Sequence, residues 1–231
     1  PSSDRLESHP LLAESANPNS ALLTLMRAPV GDGFEESVEE DFDRMVLVLS
    51  GQGVATLAGQ DHTLSPGGAA LVPAGKTAAL RVTEGPFEAL TVRVRPLPGA
   101  RNRDPVVVKT SELPTFSLQD GKLQVQILLD ASSGSSAALS ILRAEAGANA
   151  PPHDHGQSEE MVYVLQGEVQ MTLGEDDSVA GPRTAFRIPG HTDHAMEVTK
   201  GPMFAVQLYL PGGPEQRFKA GKRVEPVHGG E

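Results

Sequence analysis

Short segments of alternating apolar and polar residues follow one another along the chain. Residues 45–59 (MVLVLSGQGVATLAG) and 161–175 (MVYVLQGEVQMTLGE) each indicate two strands joined by a turn. Gly, Pro and Asp separate such segments at intervals of roughly 8 to 12 residues, and no segment sustains the apolar stripe of a helix beyond about two turns. The pattern predicts an all-β chain built from barrels or sandwiches.

The chain also contains an internal repeat. Residues 21–94 align without a gap with residues 137–210, so that Gly51 meets Gly167 and Pro73 meets Pro189. We therefore expect a polar N-terminal arm at 1–20, a first domain at 21–104 and a second domain at 105–231. The joint lies in the turn-rich, charged segment 96–105, and the second domain is expected to end in a mostly polar tail from residue 212. The alternative is that the arm or the tail lies across the other repeat.

Composition excludes several classes of function. Only 4% of the residues are aromatic and none is Trp, so the cores must be aliphatic. The formal net charge of −11 argues against a nucleic acid or an anionic membrane as partner, since both require a basic face. The chain has no Cys, which excludes disulfides, thiol catalysis and Cys-ligated zinc. No apolar run approaches the roughly 18 residues of a membrane span.

Localisation is not decided by these features. The chain begins at Pro1 without Met or a signal-peptide core, which leaves a trimmed or a processed form open. We favour a cytoplasmic location over a periplasmic or secreted one.

Candidate chemistry is concentrated in the second repeat. His153 and His155 are two residues apart and share one face of a strand, and a turn at Gly156 would bring Glu160 beside them in a hairpin. His194 begins another strand after a Pro-Gly turn. Three imidazoles and one carboxylate suit a divalent transition metal with one or two coordination positions open. The alternative is that these histidines lie on a barrel rim and bond only to neighbouring residues.

This segment resembles the cupin family. The first cupin motif is Gly, five residues, His-x-His, three or four residues, Glu, six residues, Gly, and it is matched by Gly147, His153, His155, Glu160 and Gly167. The second motif is matched at Pro189 and His194. It departs at Arg183 and His191, where the family has Gly, and these departures affect turns more than ligands.

The resemblance implies two tandem cupin barrels of the double-stranded β-helix or jelly-roll type, a bicupin. It implies one divalent metal ion bound by His153, His155, Glu160 and His194. Glu159 is the alternative carboxylate, but the six residues between Glu160 and Gly167 favour Glu160. The metal can be Mn, Fe, Ni, Cu, Co or Zn.

The first repeat serves as an internal comparison. At the four ligand positions it has Ser37, Glu39, Arg44 and Ala78, so we expect a degenerate, metal-free first domain. Arg44 would place a cation where a metal would lie, paired with Glu39 or Asp43.

Residues around the site predict an apolar pocket. Val162, Val164 and Met196 share a strand face with a ligand, and Phe186 and Gln207 are further candidates. Ordinary core packing is the alternative for each. Gln207 lies in the apolar segment FAVQLYL and needs a partner if buried, so a metal-bound water or a substrate is its expected contact.

Two classes of function follow from this site. The first is a metal-dependent enzyme acting on a small polar or aliphatic substrate, with a dioxygenase-type oxidoreductase favoured and a non-redox isomerase or lyase as the alternative. Glu160 would act as base by changing its coordination, and Gln207 would assist. The second class is a non-catalytic module that binds a metal or a small ligand. A structural protein of the seed-storage type fits less well, because one barrel keeps its ligands. We expect a monomer or a homodimer.

Overall fold

The structure is a computed structural model and describes residues 6–14, 20–100 and 103–225, apart from the side chains of residues 36 and 37. Its regular structure is almost entirely strand, with a few short 3-10 helices. The predicted all-β class is therefore confirmed. The described part of the chain has no helix with the length and hydrophobicity of a membrane span.

The chain divides into two compact units. The first contains the described residues up to 109 together with 132–136, and the second contains 110–131 and the described residues from 137 onward. The first unit therefore extends beyond residue 104, the end expected from the sequence. It does so because strand Val106–Lys109 pairs with strand Gly68–Val72 of that unit.

The first unit is an antiparallel sheet of eight strands: β1 (Glu7–Leu12), β2 (Leu22–Ala28), β3 (Gly33–Ser37), β4 (Asp43–Leu57), β5 (Gln60–Leu64), β6 (Gly68–Val72), β7 (Thr77–Val94) and β8 (Val106–Lys109). Its main path runs β1-β2-β7-β4-β6-β8, while β3 pairs with β7 and β5 with β4. Its buried core is aliphatic apart from Phe87, as the low aromatic content predicts.

The second unit is an antiparallel sheet of nine strands: β9 (Thr115–Leu118), β10 (Leu123–Leu129), β11 (Ala138–Ala144), β12 (Asn149–His153), β13 (Glu159–Leu173), β14 (Asp176–Ala180), β15 (Ala185–Ile188), β16 (His194–Leu210) and β17 (Lys222–Val224). The path runs β14-β13-β16-β11-β10-β9-β17, with β12 on β16 and β15 on β13.

The repeat found in the sequence is also a repeat of strands. Strands β2, β3, β4 and β5 coincide at both ends with β11, β12, β13 and β14 when the first repeat is shifted onto the second. Gly51 and Gly167 occupy equivalent positions within the long strands, with φ of 72° and 82°. A Cβ on Gly167 would lie 2.7 Å from the carbonyl oxygen of Lys200, so both the backbone conformation and the close strand approach require Gly.

The described parts of the expected arm and of the expected tail both contain regular structure. Strand β1 lies within the expected arm and pairs with β2, although residues 1–5 and 15–19 lie outside the described residues. After β16, a 3-10 helix at Pro214–Ala220 buries Phe218 in the core of the second unit, and β17 pairs with β9. One buried aromatic residue and a short edge pairing therefore hold the described part of the expected tail against the second unit.

Candidate metal centre

Strand register determines where the four expected ligands lie. His153, the last residue of β12, is opposite His194, the first residue of β16. Glu160 lies near the start of β13 and pairs across the sheet with Tyr209 of β16. His155 follows β12 in a turn where the Gly156 amide donates to Asp154 Oδ1 at 2.6 Å. The hairpin expected from the sequence is not formed among the described strands: β12 pairs with β16, and β13 pairs with β14, β15 and β16. The shared neighbour β16 brings Glu160 to the three histidines.

The four side chains converge on one point. Ligand atoms of His153, His155 and His194 all lie within 4.8 Å of one another, and this is the one cluster of three or more His, Cys, Asp or Glu donors among the described residues. Glu160 Oε2 is 2.8 Å from His155 Nε2 and 3.4 Å from His194 Nε2. The side chains of His155 and Glu160 are 2% and 0% exposed. The contact between His155 and Glu160 is therefore shielded from bulk water.

The donor atoms fit a divalent transition metal. His153 Nδ1 donates to the Pro151 carbonyl at 2.7 Å, and His194 Nδ1 donates to the Thr192 carbonyl at 2.8 Å. The Nε2 atoms of both rings are buried without a hydrogen-bond partner. A ring held at Nδ1 with a free lone pair on Nε2 is the arrangement found in metal-ligating histidines. These residues can therefore hold the metal ion that the cupin resemblance implies.

Electrostatics keep the carboxylate ionised. Burial opposes the charge of Glu160, but contacts with His155, His194 and Gln207 lower its pKa to about 2. Burial also lowers the pKa of His153, which favours the neutral imidazole that ligates metals. The pKa of His194 is raised: burial acts against this, and the contacts with Glu160 and the Thr192 carbonyl outweigh it.

Of the two adjacent carboxylates in β13, Glu160 contacts the histidines. Glu159 instead lies 3.6 Å from Arg187 Nε. Because successive side chains of a strand point to opposite faces, only one of the two carboxylates can reach the histidines.

A polar network extends from Glu160 to a residue of the C-terminal segment. Gln207 Nε2 donates to Glu160 Oε1 at 2.5 Å and lies 2.9 Å from the Tyr209 hydroxyl. Arg217 Nη2 donates to the same hydroxyl at 2.9 Å, and Arg217 Nη1 is 3.2 Å from His155 Nδ1. Burial raises the pKa of Tyr209 well above its ordinary value, so its hydroxyl stays protonated.

Sequence reasoning missed Tyr209 and Arg217. Tyr209 could have been predicted from the sequence, because it is two residues from Gln207 and its side chain lies on the same face of the strand. Arg217 carries no local signal, since it belongs to the segment that was expected to be a polar tail.

An apolar cavity of about 60 Å³ lies within the second unit. Val162, Phe186 and Met196 line it, together with residues such as Leu142 and Met203. Val164 is buried in the surrounding core and Gln207 is bonded to Glu160, and neither lines this cavity.

The first unit has a different arrangement at the equivalent positions. Glu39 pairs with Arg93 at 2.9 Å, and the buried carboxylate of Asp43 pairs with Arg103 at 2.6 Å. Arginines distant in sequence thus contact both carboxylates that the sequence suggested as partners of Arg44. Ala78 is buried in the apolar core. The side chain of Ser37 lies outside the described residues.

Comparisons with known proteins agree with this architecture. The family profile described as "Cupin domain" matches residues 140–209, which include Glu160, His194 and both histidines of the first motif. A comparison with curated protein sequences gives no match.

Solved structures share the fold at low sequence identity. A "Cupin 2 conserved barrel domain protein" from Leptotrichia buccalis is 16% identical, with a TM-score of 0.62 over 90% of this chain and 89% of that one. A point mutant of oxalate decarboxylase from Bacillus subtilis is 14% identical, with a TM-score of 0.70 over 96% of this chain and 79% of that one. AerE from Microcystis aeruginosa is 14% identical, with a TM-score of 0.67 over 91% of this chain and all of that one. At these identities the likeness concerns the fold.

Proposed function

Since the chain has a two-domain cupin architecture, we propose that its second unit binds one divalent transition metal ion and catalyses a reaction on a small polar or aliphatic molecule. His153, His155, Glu160 and His194 would be the ligands. The first unit would contribute no metal site, because its equivalent positions are occupied by side chains that cannot ligate together.

One observation carries this proposal: His153 and His194 each have a buried Nε2 atom without a hydrogen-bond partner, in a cluster where the buried carboxylate of Glu160 lies 3.4 Å from His194 Nε2. A buried polar atom without a partner is costly and rare, so a group that accepts these lone pairs is expected. A divalent cation accepts them and offsets the charge of Glu160 as well.

The surrounding residues have separate roles. A carboxylate with a pKa of about 2 is a weak base, so we assign Glu160 the role of ligand rather than of general base. Gln207 would position Glu160 through its 2.5 Å hydrogen bond. Val162, Phe186 and Met196 line the apolar cavity of the same unit, which none of the four ligands lines, and we assign them to the apolar side of the substrate site.

A dioxygenase-type oxidoreductase is the favoured reaction class. A bound redox-active ion would supply reactivity toward O₂, and any bound divalent ion would supply Lewis acidity. Protein aromatics are scarce in the site, which favours a small substrate over a large flat one.

A non-redox lyase or isomerase is the second candidate. It is favoured by the polar side of the site, where the Tyr209 hydroxyl and the Arg217 guanidinium stand beside His155. Such groups can orient a charged substrate without O₂. One structural neighbour is an oxalate decarboxylase, which by its name belongs to this second class.

Metal analysis followed by turnover assays tests the proposal. The purified protein should carry close to one transition-metal ion per chain by elemental analysis. O₂ uptake is then measured against a panel of diketones, hydroxy acids and sugar acids, with CO₂ release and product analysis run in the absence of O₂. Turnover only with O₂ supports the dioxygenase, and anaerobic turnover supports the lyase or isomerase. Metal binding without any turnover would favour the non-catalytic module, and the absence of metal binding would refute the proposal.

A further inference from the structure

The three histidines of the cluster differ at Nδ1. In His153 and His194 this atom meets a backbone carbonyl, which only accepts hydrogen bonds, so the ring proton is on Nδ1 and the lone pair is on Nε2. Both rings are thus already in the tautomer that binds a metal through Nε2.

His155 has the opposite arrangement. Its Nδ1 lies 3.2 Å from Nη1 of Arg217, and a guanidinium only donates hydrogen bonds. Nδ1 must therefore accept, which leaves the ring proton on Nε2, where it is donated to Glu160 Oε2 at 2.8 Å. In this arrangement His155 presents an N–H to the cluster, and it cannot ligate through Nε2 until Arg217 has moved.

The guanidinium of Arg217 lies at the exposed side of the cluster and carries a positive charge. The residue belongs to the 3-10 helix Pro214–Ala220 and is largely exposed. Its polar contacts are with His155 and the Tyr209 hydroxyl, and its guanidinium lies over the ring of Phe218 at 5.1 Å. Among the residues that the structure describes, no carboxylate forms an ion pair with it, although the chain carries a net charge of −11.

We propose that Arg217 is the anion-binding residue of this site, and that metal binding transfers its guanidinium from His155 to a carboxylate of the substrate. This rests on the proposed function. Ligation of a metal through Nε2 of His155 would require the ring proton on Nδ1, and the hydrogen bond from Arg217 would then be lost. The protonation state of the ring is unchanged overall, because one N–H is exchanged for the other.

The charge balance identifies the class of ligand. A divalent ion, the Glu160 carboxylate and the released Arg217 guanidinium would sum to two positive charges beside the buried His155–Glu160 pair. A carboxylate offsets this charge, and its two oxygens match the planar fork of a guanidinium. The substrate is therefore a small carboxylate rather than a neutral molecule, held between the metal and Arg217, with the Tyr209 hydroxyl adjacent.

Two binding measurements on Arg217→Gln test this. The amide oxygen of Gln can accept the Nδ1–H that a guanidinium repels, so the variant should bind Co²⁺ about tenfold more tightly than wild type in competition with a chelator. The Co²⁺-loaded variant should bind malonate about tenfold more weakly than Co²⁺-loaded wild type, and the Co²⁺ absorption spectrum reports this binding. Both proteins should respond equally to the neutral analogue malonamide. Arg217→Lys, which keeps the charge, should recover part of the malonate affinity.

Arg223→Gln is the matched control, because it removes the same charge from exposed β17 of the same C-terminal segment and should behave as wild type. Unchanged Co²⁺ affinity in Arg217→Gln, or unchanged malonate affinity, would overturn the inference. If wild type binds no Co²⁺, the proposed function itself fails; if it binds Co²⁺ and Arg217 has no influence, only the role of Arg217 fails.

Discussion

Gln207 Nε2 donates a 2.5 Å hydrogen bond to Glu160 Oε1, and both side chains are buried. The two residues belong to adjacent strands, where Glu160 is opposite Tyr209 and Gln207 is opposite Val162. A buried carboxylate is costly unless it is hydrogen-bonded and paired. The sheet register thus supplies Glu160 with a donor from β16 while its other oxygen faces the histidines.

Replacing Gln207 by Leu should destabilise the buried carboxylate of Glu160. The substitution leaves Glu160 Oε1 without its donor, and we expect the metal-free protein to lose about 1–3 kcal/mol of unfolding free energy. Metal affinity should also fall, because Glu160 is no longer held in place. Urea unfolding and metal titration measure the two effects. Thr91→Leu, at the equivalent position of the first repeat, is the control and should leave metal affinity unchanged.

Removing a histidine of the cluster should remove the metal. His153→Ala, His155→Ala and His194→Ala should each reduce metal content from close to one ion per chain to a small fraction, since each deletes one of four ligands. Elemental analysis after dialysis measures this. His191→Ala is the control, because His191 is exposed and three residues from His194. Full metal content in two or more of the cluster variants would contradict the assignment.

One restored histidine should not create a second site. Ala78→His places an imidazole at the position equivalent to His194, but Glu39 is paired with Arg93 and Arg44 replaces the carboxylate ligand. Metal content should stay close to one ion per chain. A second equivalent in this variant would show that the repeat alignment misassigns the ligand positions.

The stability of the metal-free protein should depend on Glu160 at acid pH. Its folded-state pKa of about 2 lies below the ordinary 4.5, so the ionised group stabilises the folded protein above about pH 4.5 and this contribution is lost as the pH falls toward 2. Between pH 6 and pH 2.5 the unfolding free energy of wild type should drop by roughly 2–3 kcal/mol more than that of Glu160→Gln. Urea unfolding after metal removal measures the difference, and parallel pH profiles would contradict it.

Breaking the buried ion pair of the first unit should destabilise that unit. Asp43 is fully buried and accepts hydrogen bonds from Arg103 at 2.6 Å and from the Ala74 amide at 2.9 Å. Arg103→Met leaves the carboxylate with an uncompensated charge, and we expect a loss of roughly 3–5 kcal/mol by urea unfolding. Lys200→Ala removes an exposed ion pair with Glu168 and should leave the unfolding midpoint nearly unchanged. Metal content should be unaffected in both variants.

Much of the fold was accessible from local patterns. Strand alternation has a period of two, and the repeat places the same turn residues at the same offset, so the all-β class and the paired domains could be predicted. The cupin spacing from Gly147 to Gly167 likewise predicted that His153, His155 and Glu160 would meet. The sequence pattern suggested a hairpin as the cause, whereas in the structure β12 and β13 meet through their common neighbour β16.

The partners of these side chains depended on contacts that no local pattern encodes. Asp43 and Glu39 are contacted by Arg103 and Arg93, which are distant from them in sequence. Arg217 contacts His155 only because Phe218 anchors the C-terminal segment in the core. The sequence by itself determined the strands, the duplication and the candidate ligands, since these follow from residue periodicity and spacing. Only the tertiary structure decided the tautomer of His155 and the position of Arg217, since both depend on a segment that returns to the sheet through long-range packing.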